Sequence, residues 1–183
     1  MAVQAAVCDF GWSAPDFALP ATDGRVWSLA ECAGANGTLV MFICNHCPYV
    51  LAILPNLIRA VQDMQAMAIG VVAINANDAV SHPADSFANM ARLASEHRFT
   101  FPYLHDENQA VAKAYGAVCT PDFFGFNASL ALQYRGRLDA SGRNPAPEDS
   151  PRELVDAMRL VAETGDGPRV QTPSMGCSIK WRS

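Results

Sequence analysis

Short apolar runs alternate with longer segments of helical periodicity along this chain. Residues 38–43 (TLVMFI) and 69–75 (IGVVAIN) are continuous apolar runs, a pattern typical of central strands buried on both faces. Between them, apolar residues recur at helical spacing from Pro48 to about Met67, and Pro55 is expected to kink this helix. One helix between two buried strands predicts a right-handed β-α-β unit with parallel strands.

Weaker patterns extend this unit on both sides. Two short strands, 16–19 and 25–29, flank Asp23-Gly24, a strong hairpin turn motif. The other predicted elements are helices at 85–97, 107–115 and 151–163, an extended link at 99–104, and a hairpin of strands 122–126 and 130–134. Pro151 is expected in the first turn of the last helix. The predicted fold class is α/β, a central mixed β-sheet flanked by helices, with an N-terminal β-hairpin extension.

The length and composition suit one domain. The chain has 183 residues, of which 50% are hydrophobic, which is enough for one packed core and short for two. We predict a domain over residues 1–163. A C-terminal tail over 164–183 is rich in Gly, Pro and Ser, and the pattern does not indicate its course.

Charge and hydropathy narrow the choice of partners. The net charge is -5 and no stretch gathers the basic residues, so we expect no nucleic acid partner. No apolar run approaches the roughly 20 residues that span a bilayer. Residues 1–9 also lack the basic start of a signal peptide. The sequence therefore predicts a cytoplasmic protein without a membrane partner.

A closely spaced cysteine pair is the main candidate for chemistry. Cys44-Asn45-His46-Cys47 lies where the first buried strand ends and the long helix begins. The unpaired N–H groups at a helix N-terminus favour a thiolate and lower a thiol pKa from about 8.5 to about 3.5–7.5. We expect Cys44 to titrate well below an ordinary thiol, with His46 favouring its ionised form. Whether Cys44 or Cys47 caps the helix is open at this point.

A metal site is the alternative for such a pair. A closed zinc site needs four ligands, and the sequence has no second pair or Cys/His cluster with zinc spacing. We therefore expect no metal and no other cofactor. Cys8 and Cys32 are interpreted as small apolar residues. His82 is expected on the surface, and Arg135 on a solvated strand edge.

Two further segments bear on the pair. Thr120-Pro121 precedes a predicted strand, and a proline there is either a trans residue of an edge strand or part of a cis turn. Cys177 lies between Gly176 and Ser178 in the tail. We hypothesise that this tail folds back toward the cysteine pair.

These motifs together resemble the thioredoxin superfamily, in particular its redoxin branch of peroxiredoxin-like, AhpC/TSA-type proteins. The resemblance covers residues 15–138 and includes PDFAL followed by DG, the CNHCP motif at a strand end, and AYGAVCTP before a strand. It implies a cis Thr120-Pro121 bond that faces the redox pair. The segment 173–181 resembles the tail of a peroxiredoxin-like subgroup with the same Asn-His spacer.

The chain also departs from both branches of that superfamily. Thioredoxins have Trp before the first cysteine, where this chain has Ile43, and a buried acidic residue in the preceding strand, which 38–43 lacks. The peroxiredoxin resemblance would place Cys47 at the peroxidatic position. It would also require an Arg near the later strand, where this chain has Asp122. These departures favour dithiol exchange over peroxide reduction.

The sequence thus predicts a thiol-disulfide oxidoreductase with a redox-active disulfide. Cys44 attacks a substrate disulfide, Cys47 resolves the mixed disulfide, and His46 tunes the thiolate. The residues expected to contact the substrate are Asn45, Thr120 and Pro121. The expected partners are protein or small-molecule disulfides and a thiol reductant system.

Two alternatives remain open. In the first, the chain is a thiol peroxidase with antioxidant activity, in which a sulfenic acid on Cys47 condenses with Cys44 and peroxides are the partners. In the second, from a different class, it is a non-catalytic redox sensor or a zinc-binding interaction module.

Overall fold

Strands and helices alternate along residues 1–147 and 149–182, the part of the chain that the computed structural model describes. The strands are β1 (Ala2–Gln4), β2 (Ala18–Pro20), β3 (Val26–Ser28), β4 (Gly37–Phe42), β5 (Ile69–Asn75), β6 (Tyr103–His105), β7 (Cys119–Thr120), β8 (Asp122–Phe126), β9 (Leu132–Tyr134) and β10 (Met175–Ser178). The helices are α1 (Leu29–Cys32), α2 (Pro48–Ala66), α3 (Phe87–Glu96), α4 (Ala110–Tyr115) and α5 (Glu153–Thr164). A short 3₁₀ helix, Pro83–Asp85, precedes α3. The predicted α/β class is confirmed.

The two apolar runs of the sequence pair at the centre of a mixed sheet. Its strand order is β6-β5-β4-β8-β9. The strands β4, β5 and β6 are parallel, whereas β8 and β9 run antiparallel to their neighbours. All six residues of β4 are buried, as the continuous apolar run predicts. The predicted parallel β-α-β unit and the antiparallel far side of the sheet are both present.

Each face of this sheet carries its own hydrophobic cluster. Leu39 and Met41 of β4 point to one face, where α2 and α5 pack, while Val40 and Phe42 point to the other. On that second face, the ring of Tyr115 of α4 lies tilted against that of Phe42, with ring centroids 5.6 Å apart. Because both faces are covered, side chains of this sheet reach solvent chiefly at its edges and strand ends.

The N-terminal hairpin forms as predicted, with shorter strands. Its strands β2 and β3 pair antiparallel across a turn that contains Asp23 and Gly24. Gly24 has φ +84, a left-handed angle that glycine adopts without a steric cost. The Asp23 carboxylate accepts from the Trp27 indole N–H at 3.0 Å, which closes the turn.

Three predicted helix starts are displaced in the structure. The helix expected at 85–97 begins only after Ser86, whose hydroxyl accepts from the Asn89 N–H and caps α3. The helix expected at 107–115 begins at Ala110 because Gln109 has a left-handed φ of 64. The prediction for Pro151 was wrong: Arg152 caps α5, so the proline lies outside the helix.

The C-terminal tail has a defined course. Its strand β10 lies between β1 and β7 in a separate three-stranded antiparallel sheet. A Cβ at Gly176 would lie 1.9 Å from the Thr120 carbonyl oxygen, so only glycine permits this close pairing. The domain boundary at residue 163 stays a prediction, while the segment beyond it packs against the domain. Glu148 and Ser183, the last residue of the predicted tail, lie outside the described residues.

Arg135 is buried, which corrects its expected place on a solvated edge. It is 8% exposed, and its guanidinium donates to the Asp122 carboxylate at 3.0 Å and to the Gly116 carbonyl at 2.8 Å. The guanidinium also lies over the Phe124 ring, 4.4 Å from its centroid. Burial raises the pKa of Asp122 to about 6, against the opposing effect of Arg135.

This burial predicts a pH-dependent contribution of Asp122 to stability. Because its folded pKa of about 6 lies above the usual 3.8, the folded state binds the proton more tightly than the unfolded state. The free energy of unfolding therefore falls as pH rises from about 4 to about 6, by on the order of 2 kcal/mol from this group. Asp122→Asn should remove this part of the pH dependence in urea titrations at pH 4 and pH 6.5.

The matched control is Asp63→Asn, which alters an ion pair with Arg152 in which both side chains are about half exposed. That variant should keep the pH dependence of the wild type, because surface pairs contribute little. An Asp122→Asn protein with an unchanged pH dependence would contradict the assignment.

Candidate redox site

The CNHC motif connects the central strand to the long helix. After β4 ends at Phe42, the chain turns, and α2 begins at Pro48 with Cys47 as its N-cap in an extended conformation, φ -69 and ψ 123. A residue before proline is pushed out of helical angles, and proline at the first helical position loses no hydrogen bond. The order Cys-Pro therefore makes Cys47 the cap, which settles the question that the sequence left open.

Both sulfurs of the pair contact one residue, Thr120. The Cys44 sulfur lies 3.2 Å from the Thr120 hydroxyl, and the Cys47 thiol donates to the Thr120 carbonyl oxygen at 3.1 Å. The Thr120-Pro121 peptide bond is cis, as the resemblance implied. Cys44 is 1% exposed and Cys47 is 0% exposed. The structure thus brings Cys44, Cys47 and Thr120 into one buried cluster.

The surroundings of the two sulfurs favour a thiolate on Cys47 over one on Cys44. A hydrogen bond from Cys44 holds the pKa of Cys47 well below its usual value against the effect of burial, with help from the Cys177 side chain and the N–H groups of Val50 and Cys177. The same bond between the thiols raises the pKa of Cys44, and burial and the Asp85 carboxylate raise it further. The bond from Cys47 to the Thr120 carbonyl exists only while Cys47 keeps its proton, because a carbonyl oxygen only accepts.

This order of ionisation differs from the expectation that Cys44 is the acidic thiol. One reason is position along the chain, since Cys47 and not Cys44 is the N-cap residue of α2, where the helix dipole favours a negative charge. Cys44 instead faces Asp85, a negative charge that disfavours a thiolate.

Sequence reasoning missed Asp85, which is fully buried beside the pair. Its carboxylate accepts from the Asn45 backbone N–H at 2.8 Å and from the Asn77 side chain at 2.7 Å. The His46 Nδ1 lies 2.7 Å from the same carboxylate, an ion-pair contact outside hydrogen-bond alignment. Asp85 thus fixes the His46 ring. It is the last residue of the 3₁₀ helix that follows β5, and the carboxyl end of β5 adjoins that of β4; this adjacency was the available clue.

His82 also lies at the site and not on an isolated surface position. Its ring stacks on His46 with centroids 5.7 Å apart and an interplanar angle of 15°. The Ser81 hydroxyl holds His82 Nδ1 at 2.9 Å. The His46 side chain is 35% exposed, so the stacked imidazoles connect the buried cluster with solvent.

The three predicted substrate-binding residues make internal contacts. The Asn45 side chain donates to the Ala84 carbonyl at 3.0 Å and accepts from the Tyr103 hydroxyl at 2.9 Å. Strand β10 pairs with Thr120, and the Ser174 hydroxyl donates to the Pro121 carbonyl at 2.9 Å. Substrate binding by Asn45, Thr120 and Pro121 stays a prediction, and it requires a substrate to replace these contacts.

Three side chains of the kinds that bind metal ions lie close together at the site: Cys44, His46 and Asp85. One ligand atom from each lies within 4.8 Å of the other two. A closed zinc site takes four ligands, one more than this group offers. Both Asp85 oxygens already accept from Asn45 and Asn77. The donor set therefore fits a hydrogen-bonded redox site better than a structural zinc site.

A cysteine pair at the start of the helix after the central strand, opposite a cis proline in a mixed sheet, defines a redox protein of the thioredoxin fold. The family model of AhpC/TSA matches residues 10–140 of this chain. The chain belongs to the AhpC/TSA family, and the predicted resemblance to a thioredoxin-fold redoxin is confirmed.

Solved structures agree with this assignment. An uncharacterized conserved protein from Geobacillus kaustophilus is 43% identical, covers 100% of this chain and 97% of its own, and has a TM-score of 0.94. A hypothetical protein from Sinorhizobium meliloti 1021 is 37% identical over 98% of both chains, with a TM-score of 0.93.

A more distant structure shares the fold. It is a secreted Mycobacterium tuberculosis disulfide oxidoreductase homologous to E. coli DsbE, 17% identical over 79% of this chain and 95% of its own, with a TM-score of 0.61. No curated protein matches the chain.

The hydrogen bond between the two thiols predicts how Cys47 titrates. Cys44→Ala removes the donor, so the lowered pKa of Cys47 should rise toward the usual value of about 8.5. Cys44→Ser keeps a hydroxyl donor in the same place and should raise it less. The measurement is the pH dependence of alkylation at Cys47, followed by peptide mass mapping. Equal midpoints in Cys44→Ala and the wild type would contradict the assigned hydrogen bond.

Proposed function

We propose that this protein is a thiol-disulfide oxidoreductase that exchanges two electrons through Cys44 and Cys47. The observation that carries the proposal is the contact between the two thiols, both of which also bind Thr120. A pair that alternates between dithiol and disulfide needs its sulfurs side by side in a fixed frame. The frame here is the end of β4, the first turn of α2 and the cis Thr120-Pro121 bond.

The low pKa of Cys47 supports an order of steps that reverses the expected roles. The Cys47 thiolate attacks one sulfur of a substrate disulfide, and the other substrate sulfur leaves as a thiolate. Cys44 then attacks the Cys47 sulfur, which forms the Cys44–Cys47 disulfide and releases the second substrate thiol. The substrate gains two electrons and the protein pair loses them.

His46 and Asp85 have a role in the second step. Cys44 must lose its proton before it attacks, and its pKa is raised. A ring nitrogen of His46 lies within 4.8 Å of the Cys44 sulfur, and Asp85 holds that ring. We assign His46 as the group that accepts the Cys44 proton and Asp85 as the residue that positions it.

Peroxide reduction is the second candidate, because a thiolate at Cys47 also attacks peroxides. That reaction expels hydroxide, which a nearby cation stabilises. Two arginines follow β9. Arg135 packs on Phe124, on the face of the sheet opposite Cys47, and is paired with Asp122. Arg137 is paired with Glu153 at 2.6 Å. This arrangement favours dithiol exchange over peroxidase activity.

The partners in this proposal are protein or small-molecule disulfides and a thiol reductant.

The cytoplasmic location stays a prediction of the sequence, and the distant Mycobacterium structure is of a secreted protein. Within residues 1–147 and 149–182, no helix combines the length and apolar character that a membrane crossing needs. A redox sensor or zinc module, the alternative from another class, is tested by metal analysis of the purified protein.

A comparison of two substrates tests the proposed reaction. With the same thiol donor, the wild type should reduce insulin disulfides faster than it consumes hydrogen peroxide, and Cys47→Ser should lose both activities. Cys32→Ser is the control, because Cys32 belongs to the hydrophobic cluster on the other face of the sheet. Faster peroxide consumption, with sulfenic acid trapped on Cys47 in the Cys44→Ser variant, would establish the peroxidase instead.

The assignment of His46 makes a separate prediction. His46→Ala should slow the release of a preformed mixed disulfide at Cys47 by on the order of 10²-fold near neutral pH, the typical contribution of a positioned base. The slowing should shrink as pH rises, because hydroxide then removes the Cys44 proton. The release rate is followed by mass spectrometry from pH 6 to pH 10. A pH-independent effect would show that His46 acts only through packing.

A further inference from the structure

A third cysteine lies in contact with the redox pair. Strand β10 pairs antiparallel with β7, which places Cys177 directly opposite Thr120. Cys177 packs against the hydrophobic cluster that contains Cys44 and Cys47, and its side chain and backbone N–H help to lower the pKa of Cys47. Three thiols therefore meet around one residue of β7.

The tail that carries Cys177 is held in place by specific contacts. Gly176 approaches Thr120 so closely that a Cβ would lie 1.9 Å from the carbonyl oxygen. On the other side, the buried Ser174 hydroxyl donates to the Pro121 carbonyl. The main chain of Ser178 bonds to Met1, and that of Ile179 bonds to Val118. These contacts hold Cys177 in a fixed position at the site.

Access to solvent differs among the three sulfurs. Cys44 and Cys47 are 1% and 0% exposed, whereas Cys177 is partly exposed. A bulky disulfide or dithiol that approaches from outside therefore meets Cys177 before the pair. This exposure explains how a buried pair can exchange electrons with large partners.

We propose that Cys177 is a third redox cysteine, which forms a disulfide with Cys47 and presents to large substrates the sulfur that they attack. The inference rests on the proposed thiol-disulfide exchange and adds the route by which electrons reach the buried pair.

The steps balance without an added oxidant. In the oxidised protein, the Cys177 thiolate attacks the Cys47 sulfur of the Cys44–Cys47 disulfide; the Cys47–Cys177 bond forms, and Cys44 leaves and takes up a proton. A substrate thiolate then attacks the exposed Cys177 sulfur and expels Cys47. A second substrate thiolate attacks the first substrate sulfur, which yields the substrate disulfide and frees Cys177. The substrate loses two electrons and the protein gains them; the reverse sequence reduces a disulfide.

The low pKa of Cys47 favours the step in which a substrate thiolate attacks Cys177 and expels Cys47. A thiol with a low pKa is the better leaving group, so attack on a Cys47–Cys177 disulfide is directed to the Cys177 sulfur. Burial raises the pKa of Cys177 itself to about 11, and this makes Cys177 the poorer leaving group. Solvent access and leaving-group ability therefore both direct the substrate thiolate to the Cys177 sulfur.

Disulfide mapping of the full chain tests the inference. Cys44→Ser is incubated with oxidised glutathione, quenched in acid and mapped without reduction, beside Cys44→Ser/Cys177→Ser. The first variant should contain mainly the Cys47–Cys177 disulfide, because an intramolecular thiol displaces glutathione from Cys47. The second should keep glutathione on Cys47. In a wild type at redox equilibrium, the Cys44–Cys47 and Cys47–Cys177 disulfides should both be found.

A matched control comes from Cys8. This residue is also partly exposed, and burial raises its pKa to about 11 as well, yet it packs against the cluster on the other face of the sheet. Cys44→Ser/Cys8→Ser should therefore still form the Cys47–Cys177 disulfide. Cys177→Ala is tested beside Cys177→Ser in the same background, with thermal unfolding of each, so that a folding defect in one does not decide the result.

The outcomes separate the inference from the proposed function. If glutathione stays on Cys47 in Cys44→Ser as it does in the double variant, Cys177 is not a redox partner, and a Cys44–Cys47 disulfide in the wild type would still support the exchange reaction. If the wild type forms no Cys44–Cys47 disulfide, the proposed function fails and the inference fails with it.

Discussion

Thr120 joins three parts of the chain that are far apart in sequence. Its hydroxyl contacts the Cys44 sulfur, its carbonyl accepts from the Cys47 thiol, and its main chain pairs with Cys177 of β10. The following cis bond to Pro121 ends β7 and starts β8, the antiparallel neighbour of β4. The strand end, the helix cap and the tail therefore share one anchor, and a displacement of Thr120 would separate all three sulfurs together.

Burial makes Cys44 and Cys47 differ in how readily their thiols ionise. In a water-excluded cluster a single negative charge is stabilised only where donors converge. They converge on Cys47, at the start of α2, while Asp85 places a fixed negative charge beside Cys44. Asp122, a buried carboxylate two residues after Thr120, is compensated by Arg135 on the opposite face of the sheet. The fold thus favours the thiolate on Cys47, whereas the sequence predicted it on Cys44.

Sequence patterns predicted most of this arrangement where the information was local. The apolar runs located β4 and β5, the helical spacing located α2, and the CNHC motif located the pair. The features that these patterns could not predict depend on residues that are close in space but distant in sequence. Asp85 reaches the site only because the ends of β4 and β5 adjoin. The role of Cys47 as the helix cap is an exception, because the Cys-Pro order that determines it is local.

The course of the C-terminal tail could not be predicted from the sequence either, and it affects which substrates can reach the cysteine pair. A glycine in a polar tail predicts flexibility, but Gly176 is required by close approach to Thr120, which a single sequence does not reveal. Once docked, β10 covers the backbone of Thr120 and Pro121, the atoms that we expected an extended substrate to contact. A covered pair cannot select its substrates by direct contact with that backbone. In the proposed exchange reaction, selection then depends on which molecules reach Cys177 or displace β10, and the antiparallel pairing of β7 with β10 sets that access.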